Sequence, residues 1–313
     1  MIKMYKTDTP GILNEIKELE DNCWINVTSP TDEEITTLSK ELNIEEVDIK
    51  SFLDEEEQAR TEIEDNYQLI VLDIPTFEKH TTYNISVTIP LIILIVNNMY
   101  ILTMCSKETD IFNDFIYGKV KNFYTEKKSR FTIQIMLKVA SRYIRDLKNI
   151  NEEINKSEQA LKKSTSNNDL LKLMHLQKSI VYFSTSLRSN DVVLERLQKN
   201  TLIPLYEDDI DVLDDVIIEN KQAIEMTTIY GSILNSTIEV FGTIISNNLN
   251  RIMKFLAGIT IVISIPTMVA SFMGMNVPLG FLQNNDYSFL IIILISLILS
   301  IIVAYILKRK NML

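Results

Sequence analysis

The sequence predicts an α+β domain that is followed by long helices and by two membrane-spanning helices at the C-terminus. Residues 1–128 combine short helical patterns with β-rich runs, whereas glycine and proline nearly vanish from Phe131 onward. Two uncharged apolar runs, 255–273 and 288–307, lie at the end of the chain. Each run is long enough for a helix that crosses a bilayer core of about 30 Å. These observations define the fold class.

The first segment, 1–128, is expected to form a cytoplasmic α/β domain. Thr31 and Glu34 form the two ends of a capping box, which opens a helix that ends near Leu42. Apolar, β-branched runs predict three core strands, and the pair Asn97-Asn98 predicts a hairpin turn between the last two. The predicted strands are 67–74, 85–96 and 99–105.

Segment 129–203 is predicted as a helical hairpin with coiled-coil character. Its apolar residues recur at spacings of three, four and seven, and a polar turn at 164–168 separates the two helices. An ordinary helical bundle would show a similar pattern. In the second helix the seven-residue frame consists of Leu173, Ile180, Leu187 and Leu194.

Segment 204–250 is predicted as a stalk helix that continues into the first apolar run. No proline interrupts it before Pro266, so we expect one helix of about 60 residues, roughly 90 Å long. Such a helix is too long to be buried within one subunit, and we expect its stripe to face copies of itself around a symmetry axis. The stripe consists of Ile210, Leu213, Ile217, Ile224, Thr227, Leu234, Ile238, Phe241, Ile245 and Ile252.

The flanks of the apolar runs predict their orientation. Lysine and arginine follow the second run and precede the first, whereas the connector between the runs contains neither. Positive charge favours the cytoplasmic side, so both termini are expected in the cytoplasm of a multi-pass protein of the cell membrane. The polar start of the chain does not predict a signal peptide. Buried helices of a soluble core are the alternative to spans. The predicted segments are a first span at 251–275, an extracellular connector at 276–287, a second span at 288–308 and a basic tail at 309–313.

Composition limits the classes of function. A net charge of −11 argues against a nucleic-acid partner, because phosphate binding needs clustered Lys and Arg. An acidic domain would attract cations, although solubility explains the same charge. Cys23 and Cys105 lack metal-ligand spacing and are expected to be reduced. The sequence has no phosphate-binding glycine loop, nucleophile elbow or paired His/Cys cluster, so we expect no enzyme activity, no nucleotide and no organic cofactor.

The tripeptide Gly274-Met275-Asn276 follows the first apolar run. Its position between two C-terminal spans resembles the CorA family of magnesium channels. Glu64–Tyr67 resembles a second motif that is common in that family, and the order of elements is similar over the whole chain. The resemblance implies a homopentameric funnel with an N-terminal α/β domain, a helical hairpin, a stalk helix that becomes the pore-lining span, and a second, outer span.

The resemblance also implies an ion path along the first span. Mg²⁺ holds its water tightly, and residues 255–276 contain no Asp or Glu, so neutral oxygens would have to receive the hydrated ion. An apolar ring can close such a pore by dewetting. The implied residues are Gly274, Met275 and Asn276 in the entrance filter, Thr267 and Asn250 in two further polar rings, and Met253 and Leu256 in an apolar gate.

Each of these residues also has an ordinary structural interpretation. Gly274 and Asn276 can end a helix, the Thr267 hydroxyl can bond to its own helix beside Pro266, and Asn250 can be an interfacial polar residue. The connector lacks the acidic segment of many relatives, and Asp286 is its only acid. Attraction of cations at the outer mouth is therefore expected to be weaker or centred on Asp286.

Acidic residues crowd the start of the predicted stalk helix. The resemblance implies a regulatory Mg²⁺ site between subunits, in which Asp215 and its neighbour Asp214 belong to the stalk. The family's partner positions are occupied here by Lys50 and Ser51, so Asp48 and Asp54 are the nearby candidates. Stabilisation of the helix N-terminus is the alternative role of the acids. The acidic group consists of Glu207, Asp208, Asp209, Asp211, Asp214 and Asp215.

The sequence therefore favours a homopentameric channel for passive influx of hydrated Mg²⁺, closed by Mg²⁺ on its cytoplasmic side. Mg²⁺ would be both cargo and regulator, and the expected partners are copies of the chain and membrane lipid. Two alternatives stay open. A similar pore can carry Co²⁺, Ni²⁺ or Zn²⁺, because neutral oxygens discriminate by hydration, and a membrane-anchored sensor need not conduct ions.

Overall fold

The protein forms two compact units, Met1–Ile238 and Glu239–Leu313. A computed structural model describes residues 1–8, 11–79, 84–163, 167–199, 203–275, 287–310 and 312. Seven strands and seven helices lie in this part of the chain. The strands are β1 (Ile2–Asp8), β2 (Ile12–Ile16), β3 (Trp24–Thr28), β4 (Thr61–Ile63), β5 (Tyr67–Lys79), β6 (Asn84–Val96) and β7 (Tyr100–Cys105). The helices are α1 (Asp32–Leu42), α2 (Glu46–Ser51), α3 (Asn113–Ile116), α4 (Lys128–Lys163), α5 (Asn167–Gln198), α6 (Glu207–Met273) and α7 (Ser288–Arg309).

The first unit is built on one mixed sheet with the strand order β2-β1-β3-β7-β6-β5-β4. Strands β3 and β7 pair in parallel, and the other neighbouring pairs are antiparallel. One face of the sheet is covered by α1 and α2, which bury Ile35, Leu38 and Ile49 against the strands. The predicted capping box opens α1, because the Thr31 hydroxyl accepts from the Glu34 amide and the Glu34 carboxylate accepts from the Thr31 amide.

The other face of the sheet is covered by α4 and α5. Successive residues of a strand point to opposite faces, so Trp24 leaves the core that contains Ile25 and packs against the rings of Phe112 and Phe131, at 5.4 and 5.1 Å. Helix α5 is tied to β6 by the Ser186 hydroxyl, which donates to the Thr88 hydroxyl at 2.8 Å. The unit is thus a three-layer arrangement of helices, sheet and helices, which confirms the α+β class.

Asp73 lies where β5 passes beneath α4 and α5. Its backbone carbonyl accepts hydrogen bonds from the Tyr143 hydroxyl at 3.0 Å and from the Asn190 amide at 2.8 Å. Burial raises the pKa of the Asp73 carboxyl to about 6, and a hydrogen bond from Ser186 opposes this effect. The Asp73 carboxyl is therefore mostly charged at neutral pH, although its buried surroundings disfavour the charged form.

We expect Asp73→Asn to remove part of the pH dependence of stability between pH 4 and 6. Because the folded-state pKa is raised, the folded protein binds this proton more tightly than the unfolded chain, and its contribution is lost as pH rises through about 6. The wild-type protein should lose about 2 kcal/mol in this window from Asp73 alone. Urea unfolding of the full-length protein at pH 4 and 6 measures this change in the free energy of unfolding, with exposed Asp65→Asn as control. Equal pH dependence in both variants would contradict this assignment.

The sheet is larger than the sequence predicts. The three expected core strands exist, but β5 continues to Lys79, and β1 to β4 were not expected. Strands β1 and β2 have few fully buried residues and contain several polar ones, so no apolar run marks them. The hairpin turn at Asn97 and Asn98 is confirmed, with left-handed φ of 47° and 54°, although the loop also includes Met99, whose amide donates to Val96 at 2.8 Å.

The helical hairpin differs from a free coiled coil. The predicted frame residues of α5 are buried, but α5 also packs on the sheet, where the Ser179 hydroxyl accepts from the Ser86 amide at 3.0 Å. The expected turn at 164–168 is shorter than predicted, because α5 begins at Asn167. Residues 164–166 lie outside the described part of the chain.

The expectation for the stripe of α6 was wrong for several of its members in the first unit, although Ile210 is exposed. Leu213, Thr227 and Leu234 are buried within the protomer instead of facing copies of the chain. Between them Asn220 is also buried, and its amide donates to the Leu187 carbonyl of α5 at 3.2 Å. The helical hairpin of the same protomer covers this face of α6, and heptad spacing alone does not show which element covers a helix face. A different set of large apolar residues is exposed on α6, namely Ile218, Ile229 and Ile233.

The second unit contains the end of α6 and helix α7. Among the described residues, these two helices are long and apolar enough to cross a membrane. Almost none of the apolar window of either helix is buried inside the protein, unlike a core helix of a soluble domain. Large side chains such as Phe255, Leu256 and Phe289 are more than half exposed. Surfaces of this kind need lipid or other protein to cover them.

Candidate functional site

One face of α6 in the second unit carries a row of small polar side chains. Positions that are three or four residues apart share a helix face, and the row begins with two apolar residues and then becomes polar. All of its members are exposed in the single protomer. The row consists of Met253, Leu256, Thr260, Ser264, Thr267, Ser271 and Gly274.

The opposite face of α6 is the less exposed one. Its members are offset from the polar row by two residues, which is about 200° around a helix. Helix α7 also has a less exposed row, and its small side chains allow another helix to approach closely. The row on α6 consists of Gly258, Val262, Ile265, Val269 and Met273. The row on α7 consists of Ser296, Ser300, Ala304 and Leu307.

The hydroxyl groups of the polar row donate to their own helix. Thr260 donates to the Leu256 carbonyl at 2.9 Å, and Ser264 donates to the Ile261 carbonyl at 2.8 Å. Thr267 donates weakly to the Ile263 carbonyl at 3.4 Å. A hydroxyl that donates backwards still has lone pairs that can accept. The self-bonded threonine that the sequence left as an alternative is thus present, and it is compatible with accepting hydrogen bonds from water.

Gly274 follows the last residue of α6, and its amide donates to the Ala270 carbonyl at 3.0 Å. Its φ is not in the left-handed region that ends many helices at glycine. A Cβ at Gly274 would meet the carbonyl oxygens of Ala270 and Ser271 at 3.6 Å, an ordinary contact distance. Neither backbone conformation nor packing within the protomer therefore requires glycine at this position.

The other predicted pore residues are placed as follows. Met253 and Leu256 are 57% exposed and begin the polar row, whereas Asn250 lies toward the edge of that face. Met275 is exposed directly after Gly274. Asn276 and the predicted connector up to Asp286 lie outside the described residues.

The acidic group at the start of α6 divides into one buried acid and several exposed ones. Asp209 is buried and pairs with Arg130 of α4 at 3.1 Å. Asp211, Asp214 and Asp215 are exposed, and within the described residues they form no ion pair. Like charges at these spacings repel each other. Asp209 thus has a clear structural role, and Glu207 and Asp208 lie in the first turn, where acids stabilise a helix N-terminus. The three exposed acids beyond that turn form an uncompensated negative surface.

Asp48 and Asp54 have local contacts in the first unit. Asp48 lies on α2 and is partly exposed, and the Asp54 carboxylate accepts from the Glu56 amide at 3.0 Å. Lys50, which occupies one expected partner position, pairs with Asp32 at 3.2 Å. Within the described part of one protomer, no group of three or more His, Cys, Asp or Glu side chains is placed to hold a metal ion.

Sequence reasoning missed three members of the polar row, Thr260, Ser264 and Ser271. Only Thr267 was singled out in this stretch, because it matches a position of the CorA family. The signal was available, since all three lie at helical spacing from Thr267 within a run without charged residues. A helical projection of the apolar run would have shown them.

Known proteins resemble this chain over most of its length. The cobalt/magnesium transport protein CorA of Methanocaldococcus jannaschii is 28% identical over 297 residues, which cover 92% of this chain and 90% of that protein. The complete structure of the CorA magnesium transporter from the same organism superposes with a TM-score of 0.85 at 25% identity, over 100% of this chain and 99% of that chain.

A more distant structure shares the fold. The full-length CmaX protein has a TM-score of 0.71 at 15% identity, over 99% of this chain and 97% of that chain. The family model described as CorA-like Mg²⁺ transporter protein matches residues 20–309. This match spans both units and the two apolar helices, so the protein is a membrane protein with the fold of that family. The chain belongs to the CorA-like Mg²⁺ transporter family.

Proposed function

We propose that the chain forms a homopentameric channel that admits hydrated Mg²⁺ passively across the cell membrane and is closed by Mg²⁺ on the cytoplasmic side. The observation that carries this proposal is the polar row of α6, which lies opposite the face suited to packing on another helix. In a ring of five copies, that packing face would contact α7 and the polar row would line the axis. The gradient and membrane potential would drive entry, at about 4.6 kcal/mol per 100 mV for a divalent ion.

The chemistry of the row suits an ion that keeps its water. Mg²⁺ dehydrates reluctantly, and the described part of the row contains no carboxylate that could replace its water ligands. Hydroxyl lone pairs on Thr260, Ser264 and Thr267 can accept hydrogen bonds from the ion's hydration shell. Below them, Met253 and Leu256 would form the apolar ring that closes by dewetting.

Ion flux into liposomes tests the proposal. We expect Mg²⁺ uptake by the reconstituted protein and its near-complete loss in Asn276→Ala, because the outer ring loses five amides that hold water. Asn285→Ala is the matched control, since it makes the same change elsewhere in the connector. Pentamers should persist in both variants by light scattering. Normal uptake by well-assembled Asn276→Ala would overturn the filter, and no uptake by the wild-type protein would favour a sensor.

The same assay ranks the ions. A relative is named a cobalt/magnesium transport protein, so Co²⁺ is a second candidate cargo, and the pore chemistry gives no reason to reject Ni²⁺ or Zn²⁺. We place Mg²⁺ first because the Gly-Met-Asn tripeptide is present and because the polar row lacks the His and Cys ligands that softer metals prefer.

The orientation in the membrane can be tested by labelling. The cluster of Lys308, Arg309 and Lys310 after α7 favours a cytoplasmic C-terminus. A cysteine at Asn284 should therefore react with an impermeant thiol reagent on intact cells, whereas Met312→Cys should react only after the cells are opened. Cys23 and Cys105 are buried and should give little background. The reverse labelling pattern would invert the proposed topology.

A further inference from the structure

A cleft of about 880 Å³ opens in the first unit beside the beginnings of α4 and α6. It is separate from the polar row and from the exposed acids Asp214 and Asp215. Its walls combine cations, amides and two tyrosines, a set that differs from the apolar surfaces elsewhere in the unit. The residues that carry its chemistry are Asn22, Tyr124, Lys128, Ser129, Arg130 and Tyr206.

Lys128 is the unusual member of this wall. The residue is only 7% exposed, and its ammonium donates to the Asn22 side-chain carbonyl at 2.7 Å. Throughout the described residues, no carboxylate forms a salt bridge with it. Burial lowers the pKa of Lys128. Burial of an ammonium group costs free energy when only one of its protons is bound, and by a neutral acceptor. An anion that accepts from the remaining protons would offset this cost.

The N-terminus of α4 points to the same kind of ligand. Helix α4 has 36 residues, and its first internal hydrogen bond runs from the Phe131 amide to the Lys127 carbonyl. The amides of Ser129 and Arg130 have no acceptor among the described residues. Free amides at the positive end of a long helix bind anions. These two groups and the Lys128 ammonium belong to consecutive residues in the wall of one cleft.

Among the described residues, the nearby acids form no ion pair with Lys128, although Glu126 and Asp21 raise its pKa against the larger effect of burial. Asp209 already pairs with Arg130 at 3.1 Å, and Glu126 and Asp208 are exposed to solvent. The tyrosines add flat surface, and the Lys127 ammonium lies 5.3 Å from the centre of the Tyr124 ring. The volume exceeds what inorganic phosphate needs and lies in the range of ligand pockets.

We propose that this cleft binds a phosphate-bearing anion, whose oxygens accept hydrogen bonds from the Lys128 ammonium and from the amides of Ser129 and Arg130. The anion is either free phosphate or the phosphate end of a nucleotide whose base lies on Tyr124 or Tyr206. Because Arg130 also holds Asp209 at the start of α6, the bound anion would contact the residues that fix the beginning of that helix. The second source would be a nucleotide, a partner that the sequence did not lead us to expect.

Binding is measured on the full-length protein in detergent, with EDTA present so that Mg²⁺ does not contribute. Inorganic phosphate, ADP and adenosine are titrated separately by calorimetry, and Tm is followed in parallel. We expect phosphate or ADP to bind the wild-type protein and Lys128→Met to weaken this binding at least about tenfold, since a charge-assisted hydrogen bond is lost. Tighter binding of ADP than of phosphate, with none of adenosine, identifies a nucleotide; equal binding identifies free phosphate.

Lys156→Met is the matched control, because it removes one exposed lysine from the same helix α4. Equal loss of binding in both variants, or no binding of any probe to the wild-type protein, would overturn the proposal. If Lys128→Met does not fold, acetylation of the wild-type protein decides the matter. Phosphate or ADP should slow the modification of Lys128 and leave that of Lys156 unchanged, and equal rates with and without the probes would reject the site.

Discussion

We expect the replacement of Gly274 by alanine to lower Mg²⁺ flux about tenfold or more and to leave the fold and assembly of the protein intact. The protomer has room for the added methyl group, whose nearest neighbours would be at 3.6 Å, and the backbone does not need a glycine conformation. In a pentamer, however, five methyl groups would narrow the mouth where the hydrated ion enters. A tenfold loss corresponds to about 1.4 kcal/mol of added barrier.

Gly242→Ala is the matched control, because it makes the same change on α6, at a position where the added methyl group meets no atom within 4 Å. Stopped-flow flux in liposomes and unfolding in detergent should be measured for both variants. Loss of flux in Gly274→Ala with unchanged Tm supports the mouth assignment. Equal flux in the two variants would show that the glycine has no role in conduction, and a lowered Tm in Gly274→Ala would assign it a structural role instead.

If Mg²⁺ closes the channel as proposed, neutralising two acids near the start of α6 should leave it open at Mg²⁺ concentrations that close the wild-type protein. Asp214 and Asp215 are exposed and have no ion pair among the described residues, so each added copy of the chain would increase their mutual repulsion. A bound Mg²⁺ relieves that repulsion and stabilises whichever state brings the acids together. With five coupled subunits, about 1 kcal/mol per site approaches the roughly 5.5 kcal/mol that inverts a two-state equilibrium.

The variant Asp214→Asn/Asp215→Asn is compared with Glu225→Gln, an acid farther along α6. In the double variant, we expect millimolar Mg²⁺ to inhibit flux less and to protect less against limited proteolysis. Protection equal to that of the wild-type protein would move regulation away from these acids. They would then be ordinary solvated acids of the helix surface, because both lie beyond the first turn of α6, where the helix dipole acts.

The sequence predicted the membrane helices and the long helices best, because long periodic or uniformly apolar segments carry strong local signals. It also placed α1 correctly, since the Thr31–Glu34 capping box is a purely local device. It missed β1 and β2, which have few fully buried residues, contain several polar ones and form no apolar run. Their place in the sheet depends on the pairing of β1 with β3 and of β2 with β1, which local sequence does not encode.

The candidate site, like the fold, could be predicted from the sequence only in part. Residues that match a family motif, such as Thr267 and Gly274, could be named from the sequence. The other members of the polar row can be recognised only when the residues of α6 are assigned to faces of the helix. The seven-residue stripe of α6 misled for a physical reason. Leu213 and Leu234 pack within their own protomer, and periodicity reports that a face is covered without saying which chain covers it. The cleft at Lys128 could not be predicted, since Asn22 and Lys128 are distant in the sequence.

Trp24 and its aromatic contacts provide an intrinsic fluorescence probe of the first unit. It is the single tryptophan of the chain, it is fully buried, and its indole nitrogen donates to the Thr103 hydroxyl at 2.8 Å. Its ring meets Phe131, three residues after Lys128 on α4, at 5.1 Å. Tryptophan emission from the intact protein would therefore arise from one place beside the cleft. Changes in that emission during titration with phosphate would follow the first turn of α4 without a label.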